Sequence, residues 1–403
     1  MNRPLACLLT AEALSMLGSR IAFVAIPWLV LTTTDSPILA GVAGFAEMLP
    51  YVLAGLLGGP LIDRIGPRPV AVAADLTSVP VVCAVPLLWH SGARSFGLLV
   101  VLVAVAGALR GFGDAGKRTL FPRVLAASGM STERGTALYD GIGRAATLAG
   151  LPLAGLLVAT VGAADVLLFD AATFGASALL VAFLVPGTPP GPADQRYLAA
   201  LAEGFRYLRG DRLSLGIVTM LFATNLFDQA YSTVFVPLWI RDVLHSPAAL
   251  GMTGAAFGAG AVAGNLAYTV LAPRLPRHRT FALCFLLGGS AQLFALALTD
   301  RLWILLLTAA GAGALLSTVN PILMAVAYER IPPDLQGRVL GAALAAAWAG
   351  IPLGGLIAGW AAQGLGLRAG ALVAAAGYLA VTAAPFLFAR WRELDARPVS
   401  VAR

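Results

Sequence analysis

Charge is scarce in this sequence. Asp, Glu, Lys and Arg make up 12% of its 403 residues, about half of what soluble domains carry. With 59% hydrophobic residues and a mean hydropathy of +0.85, that scarcity excludes a string of soluble domains and assigns the chain to a membrane. Cysteine is nearly missing as well. Cys7, Cys83 and Cys284 stand singly within or at the ends of apolar segments, with no CxxC spacing. That excludes a disulfide framework and a zinc site, and each reads as a small buried hydrophobe. The histidines, His90, His245 and His278, are scattered over loops at both faces. No His, Cys or Asp cluster gathers at one face, so no catalytic residue, metal site or cofactor is expected. A Walker-type phosphate loop is also missing, so ATP is not the expected energy source. The net charge of +7 is almost all arginine, dispersed between apolar runs rather than gathered in one basic stripe. Nucleic acid is therefore not an expected partner.

What remains is apolar and rich in small residues. Apolar runs of about 20 residues, enough to cross a bilayer, fall near 5–32, 37–60, 70–89, 95–116, 136–160 and 164–186. Six more fall near 213–240, 248–272, 279–299, 302–327, 339–363 and 368–390. The first run is too long for a signal-peptide core and is read as a retained span. The break between the two sets opens with Pro and Gly and continues as a basic amphipathic helix from about Gln195 to Arg209. Leu198, Leu201, Phe205 and Leu208 share one face of that helix, which is expected to lie along the membrane surface. The expected organisation is a six-helix bundle at 1–186, a cytoplasmic linker at 187–212, a second bundle at 213–392 and a tail at 393–403.

With the N-terminus inside, the cytoplasmic segments hold 20 of the 27 Lys and Arg, including Lys117 and Arg118. The outer loops hold four, Arg94, Arg241, Arg301 and Arg368. This bias assigns both termini to the cytoplasm. The two sets of spans also echo each other. "AGLPLAGLL" at 149–157 and "AGIPLGGLI" at 349–357 share Ala-Gly, Pro-Leu and Gly-Leu in register, 200 residues apart. Six helices separate them, so the repeat is parallel, about an axis along the membrane normal.

The polar stretch between spans 2 and 3, "GGPLIDRIGPRP", resembles the loop signature of the major facilitator superfamily through Gly59, Asp63, Arg64, Gly66 and Arg68. "ERIPPDLQGRVLG" before span 11 resembles the same family's Pro-to-Gly-Arg segment. "MLPYVLAGLLGGPLIDR" and "AVAAD" are similar to the bacterial branch that exports siderophores, macrolides and other natural products. The chain departs from the family pattern where Pro67 and Pro69 replace basic residues. It departs again where Gly150 to Gly155 carries an insertion in the drug-antiporter signature. The resemblance implies an all-α membrane fold of twelve helices in two pseudo-symmetric bundles. It also implies that Asp63, Arg64 and Arg68 form a cytoplasmic latch, with Arg110 and Asp114 as partners and the start of span 11 opposite Asp63.

Charges inside spans cost several kcal/mol each unless paired or hydrated, so they carry the functional expectations. Arg20 and Glu47 lie near the middles of spans 1 and 2 and are expected to pair. Glu12 shares a polar stripe with Ser15 and Ser19, near enough to the cytoplasm to snorkel. In span 7, Asn225, Asp228, Gln229 and Ser232 follow helical spacing and should face a wet cavity. Arg110 with Asp114, and Asp140 with Arg144, form (i, i+4) pairs assigned to the inner gate. Asp75 and Asp170 read as structural. Asn320 and the aromatics Phe23, Trp28, Tyr139, Tyr231 and Trp348 are candidate cavity residues. Glu47, Asp228, Arg20 and Glu12 are the candidates for coupling protons to substrate. The expected activity is efflux of amphipathic organic compounds in exchange for protons, by a monomer in the inner (plasma) membrane with the lipid bilayer as its other partner. The alternatives are a proton-coupled uptake symporter or a lipid or lysolipid transporter, and more remotely an integral membrane enzyme or sensor.

Overall fold

The structure, a computed structural model, describes residues 2–92, 95–187 and 197–395. Arg94, Gln195 with most of the linker's Pro/Gly opening, and the tail beyond 395 lie outside the described residues. Among the described residues, twelve helices are long and apolar enough to cross a membrane. The first six are α1 (Arg3–Thr34), α2 (Pro37–Leu57), α3 (Pro67–His90), α4 (Phe96–Ala126), α5 (Thr132–Val161) and α6 (Leu167–Leu184). The second six are α7 (Arg212–Leu244), α8 (Pro247–Arg274), α9 (Arg277–Leu298), α10 (Leu302–Arg330), α11 (Gln336–Leu365) and α12 (Leu367–Leu387).

Local chemistry sets the ends of these helices. Ser36, Ser95, Ser131 and Asp211 cap α2, α4, α5 and α7 by accepting a backbone N–H three residues on, each worth about 1 kcal/mol. Between α2 and α3 the chain makes a short helix, Gly59–Ile65, then turns at Gly66, whose φ of 99° only glycine adopts without strain. Pro67 starts α3 directly after it. α4 runs ten residues beyond the apolar stretch that predicts it, ending at Ala126 rather than 116. α7 is α-helical to Ala230 and then contains two π-helical turns, Tyr231–Phe235 and Ile240–Leu244. Each π turn takes an extra residue and so rotates the face that follows it.

Contacts divide the chain into two units. The first is Met1–Gln195 with Val236–Ala255, the second Arg196–Phe235 with Ala256–Arg403. In the first, α4 packs between α2 and α3, while α1 packs on α5 and α6. The Val236–Ala255 segment is held there by Arg241, which meets Asp35 at 2.7 Å and donates to the Leu31 carbonyl at the end of α1. In the second unit, α7 packs on α11, and α9 packs on α10 and α12.

The linker helix, Tyr197–Gly210, corrects one expectation. Its apolar face is not left for lipid but packs on α11 within the second unit. Leu208 is buried against Val218, Ile331, Val339 and Ala342, with Leu201 and Phe205 beside it. The Leu198 side chain lies outside the described residues. Gly204 explains the close fit, since a Cβ there would run into the Arg338 carbonyl. Glu203 pairs with Arg338 at 2.5 Å.

Where the linker meets α7, Asp211 receives both Arg330 nitrogens at 2.7 and 2.8 Å and the Ser214 backbone N–H at 3.2 Å. Burial alone would raise its pKa, but the hydrogen bonds from Arg330 and Ser214 and the Arg330 charge outweigh it. They hold the carboxyl at about 2, below the ordinary 3.8. A depressed pKa stabilises the fold above the unfolded value and loses that contribution as pH falls through the folded one. The difference in Tm between the wild type and Asp211→Asn should therefore be constant above about pH 4 and vanish toward about pH 2. A difference unchanged at pH 2 would exclude the bridge as its source.

Candidate functional site

α4 builds the site. Residues 110, 114 and 117 are spaced by four and three, so Arg110, Asp114 and Lys117 lie along one helical stripe. Glycines flank that stripe on both sides. Gly107 lets α4 approach α2 so closely that a Cβ would strike the Glu47 carbonyl, and at Gly113 a Cβ would come 2.7 Å from Asp75 on α3. The approach draws carboxylates from α2 and α3 onto the cations of α4.

Two buried ionic clusters result, about 10 Å apart along the helix from 1.5 Å per residue. In the first, Arg110 donates to Glu47 at 2.6 Å and stands 3.9 Å from Asp170 of α6. Both Asp170 oxygens lack a hydrogen-bond partner among the described residues. In the second, the Lys117 ammonium donates to Ser15 at 2.7 Å and to Asp75 at 3.3 Å, with Glu12 and Asp114 each 4.0 Å away. Ser177 donates to Asp75, Tyr139 to Glu12 and Tyr51 to Asp114, at 2.6, 2.7 and 3.2 Å.

These clusters rearrange the expected pairs. Arg20 does not pair with Glu47, because α4 rather than α1 lies against α2 at that level. Arg20 is half-buried on α1 and enters no ion pair among the described residues. Arg110 pairs across helices, not with Asp114 in its own. Asp140 and Arg144 are exposed, and no ion pair joins them among the described residues. Glu12 does not snorkel; it is 1% exposed. Asp75 and Asp170, expected to be structural, are members of the clusters. Lys117, counted among the loop cations, is 1% exposed at the centre of the second cluster. A signal for it was present: it is the only lysine in the chain, beside 26 arginines. A compact ammonium with three donors fits among three carboxylates and a hydroxyl where a planar guanidinium does not.

The second unit holds a different polar group on α7. Asn225 donates to the Ala347 carbonyl at 3.0 Å and Gln229 to Thr233 at 2.5 Å, while the Ser232 hydroxyl returns to the Asp228 carbonyl of its own helix at 2.9 Å. The Asp228 carboxylate keeps a buried oxygen without a hydrogen-bond partner among the described residues, as do Gln292 of α9 and the phenols of Tyr231 and Tyr378. Phe227 and the Tyr378 ring of α12 meet at 6.0 Å. Gln292 and Tyr378 are absent from the expected set, although a glutamine in an apolar span is itself a signal. Asn320 is exposed and Phe23 half-buried.

In the loop motif, Arg68 donates to the Val181 carbonyl at 3.3 Å and also to that of Ala182, near the C-terminus of α6, where a cation is favoured. Arg64 is exposed, Gly59 half-buried, and Asp63 makes no ion pair or hydrogen bond among the described residues. No group of three His, Cys, Asp or Glu among the described residues is placed to hold a metal.

Comparison with known proteins follows the same lines. The multidrug efflux pump Tap of Mycobacterium tuberculosis is 32% identical over 404 residues, covering 98% of this chain and 96% of that protein. Tap of Mycolicibacterium fortuitum is 30% identical, covering 97% of each. The crystal structure of the nucleoside transporter NupG superposes with a TM-score of 0.78 over 96% of this chain and 99% of that one, at 13% identity, which speaks for the fold alone. The sequence pattern of the Major Facilitator Superfamily matches residues 8–233 and 218–402. Twelve apolar helices, family matches that run across both units and near-full-length likeness to Tap lead to one assignment: the chain belongs to the Major Facilitator Superfamily.

Proposed function

We propose that this chain is a secondary active exporter that moves amphipathic organic compounds outward in exchange for protons, by alternating access. The direction and the substrate class are supported by the near-full-length likeness to two multidrug efflux pumps. Proton exchange is supported by one observation above the others. Glu12, Glu47, Asp75 and Asp170, each at most 4% exposed, face Arg110 and Lys117, the two buried cations among the described residues. Four carboxylates and two cations cannot all stay ionised in a medium where each unmatched charge costs several kcal/mol. Protons complete the balance, and a change of access that wets a cluster lets them leave. The membrane potential supplies about 2.3 kcal/mol per charge per 100 mV to drive the exchange.

In this reading the protein is a monomer in the plasma membrane, with both termini cytoplasmic and two six-helix bundles joined by the linker. The substrate meets Asp228, Tyr231 and Gln229 of α7, and Asp63, Arg64 and Arg68 latch the cytoplasmic side. The test is transport in proteoliposomes with a panel of cationic dyes and antibiotics, with and without an imposed pH gradient. Gradient-dependent efflux that Asp228→Asn alters for some substrates and not others is the expected result. Strict dependence on sodium, or accumulation only in the uptake direction, would overturn the reading.

A further inference from the structure

At the arginine-rich end of the second unit, two apolar grooves run along the first turns of α7. One, of about 350 Å³, lies between α7 and the end of α12 and is walled by Ala384 and Phe388. The other, of about 240 Å³, lies toward the linker helix and α11 and is walled by Phe205, Leu208 and Phe222. Both are bounded by Leu215 and Thr219, which stand one turn apart on α7. The grooves therefore straddle a single ridge.

Cations cluster where the ridge begins. Arg212 lies one turn before Leu215 and lines the first groove together with Arg390, while Arg209 lines the second. The Arg390 guanidinium lies over the Phe388 ring, 5.4 Å from its centre. Six crossings separate the start of α7 from the end of α12, so these arginines share one membrane face by parity. Three other arginines at that face are matched, Arg277 with Glu329, Arg330 with Asp211 and Glu393, and Arg338 with Glu203, while Arg206 and Arg392 are exposed but line neither groove. Arg209, Arg212 and Arg390 are exposed and enter no ion pair among the described residues. Trp391, stacked on Phe281, closes the polar end of the first groove.

From this geometry we infer a binding site for one anionic diacyl phospholipid, its phosphate at Arg212 between Arg209 and Arg390 and one acyl chain in each groove flanking the Leu215–Thr219 ridge. Charge complementarity selects the head group, and two grooves on one ridge match two chains on one glycerol. A neutral lipid fits the grooves equally but brings no anion to the three arginines. A soluble phosphate meets the arginines but fills neither groove. The site joins the linker helix, α7, α11 and the end of α12 through a single ligand.

The experiment uses the purified full-length protein in a neutral detergent. Lipid retention by native mass spectrometry and the shift in Tm are measured with dioleoylphosphatidylglycerol, dioleoylphosphatidylcholine and glycerol phosphate. Phosphatidylglycerol should bind with one tight equivalent and raise Tm, whereas the other two should not. Each arginine near an anionic surface contributes about fivefold. Arg212→Gln with Arg390→Gln should therefore weaken that equivalent about 25-fold. Ala384→Trp, which fills the first groove, should also weaken it. Arg206→Gln with Arg392→Gln, exposed arginines outside both grooves, should leave it unchanged. An unshifted lipid-free Tm checks that each variant is folded. Equal retention of phosphatidylcholine, or equal loss in the Arg206/Arg392 control, would refute the site in favour of unspecific attraction. Stabilisation by glycerol phosphate alone would refute the grooves.

Discussion

Lys117→Met should abolish gradient-driven efflux and sharply lower the amount of folded protein. The substitution keeps the length of the side chain and removes its charge. Glu12, Asp75 and Asp114 are then left with no cation among them closer than the arginines acting from outside the cluster. Removing one partner of a buried ion pair costs about 3–5 kcal/mol, a large share of the stability of most folds. The cluster escapes that penalty by holding its carboxyls protonated, and a carboxyl that never releases its proton no longer couples. Lys117→Met with Asp75→Asn returns the cluster to its wild-type net charge, so it should recover part of the folded protein without recovering gradient-driven efflux. Lys117→Arg preserves the charge but not the fit, because Lys117 is fully enclosed with its ammonium 2.7 Å from Ser15. Efflux in that variant should fall at least tenfold. Transport by Lys117→Met at the wild-type rate, under an imposed pH gradient, would rule out the cluster as a coupling site.

Much of this protein was legible before its structure. Hydropathy located twelve spans, and Gly66 with Pro67 marked the turn that closes the motif loop. The pairing of charges was not legible, for a physical reason. An (i, i+4) spacing identifies neighbours on one helix, but a buried charge in a bundle finds its partner wherever backbones come closest. Here the glycines of α4 decide that, and Gly107 draws Glu47 to Arg110 rather than to Arg20. Lys117 was missed because the apolar run that defines a span ends near residue 116 while the helix continues to Ala126. Helix geometry, not hydropathy, carries the last turns inside the protein. The linker helix shows the converse. Its amphipathic pattern was read correctly, but a pattern says only that one face is covered, not whether lipid or α11 covers it. The π turns of α7 had no sequence signal at all.

The Glu47–Arg110–Asp170 cluster yields the second large effect. Glu47→Gln should leave the protein folded and able to exchange substrate across the membrane without a gradient, while gradient-driven efflux falls by about two orders of magnitude. Arg110 stays charged beside Asp170, 3.9 Å away, so the pair that remains is balanced. What is lost is the second carboxylate, the group that makes the cluster one proton short of neutrality. Arg110→Met is the harsher change. It strands Glu47 and Asp170, at 4% and 0% exposure, without a cation and should reduce folded protein as Lys117→Met does. Combining it with Glu47→Gln removes one stranded charge, so the double variant should be more stable than Arg110→Met alone. The coupling energy from the four proteins should reach about 2–3 kcal/mol, as for residues in one network. Additive effects within about 0.5 kcal/mol would mean that the two side chains do not sense each other. Equilibrium exchange lost together with gradient-driven efflux in Glu47→Gln would assign Glu47 to the substrate rather than to the proton. Exchange retained while the gradient no longer drives it separates the two roles, because only the proton's path requires a carboxylate that changes its charge.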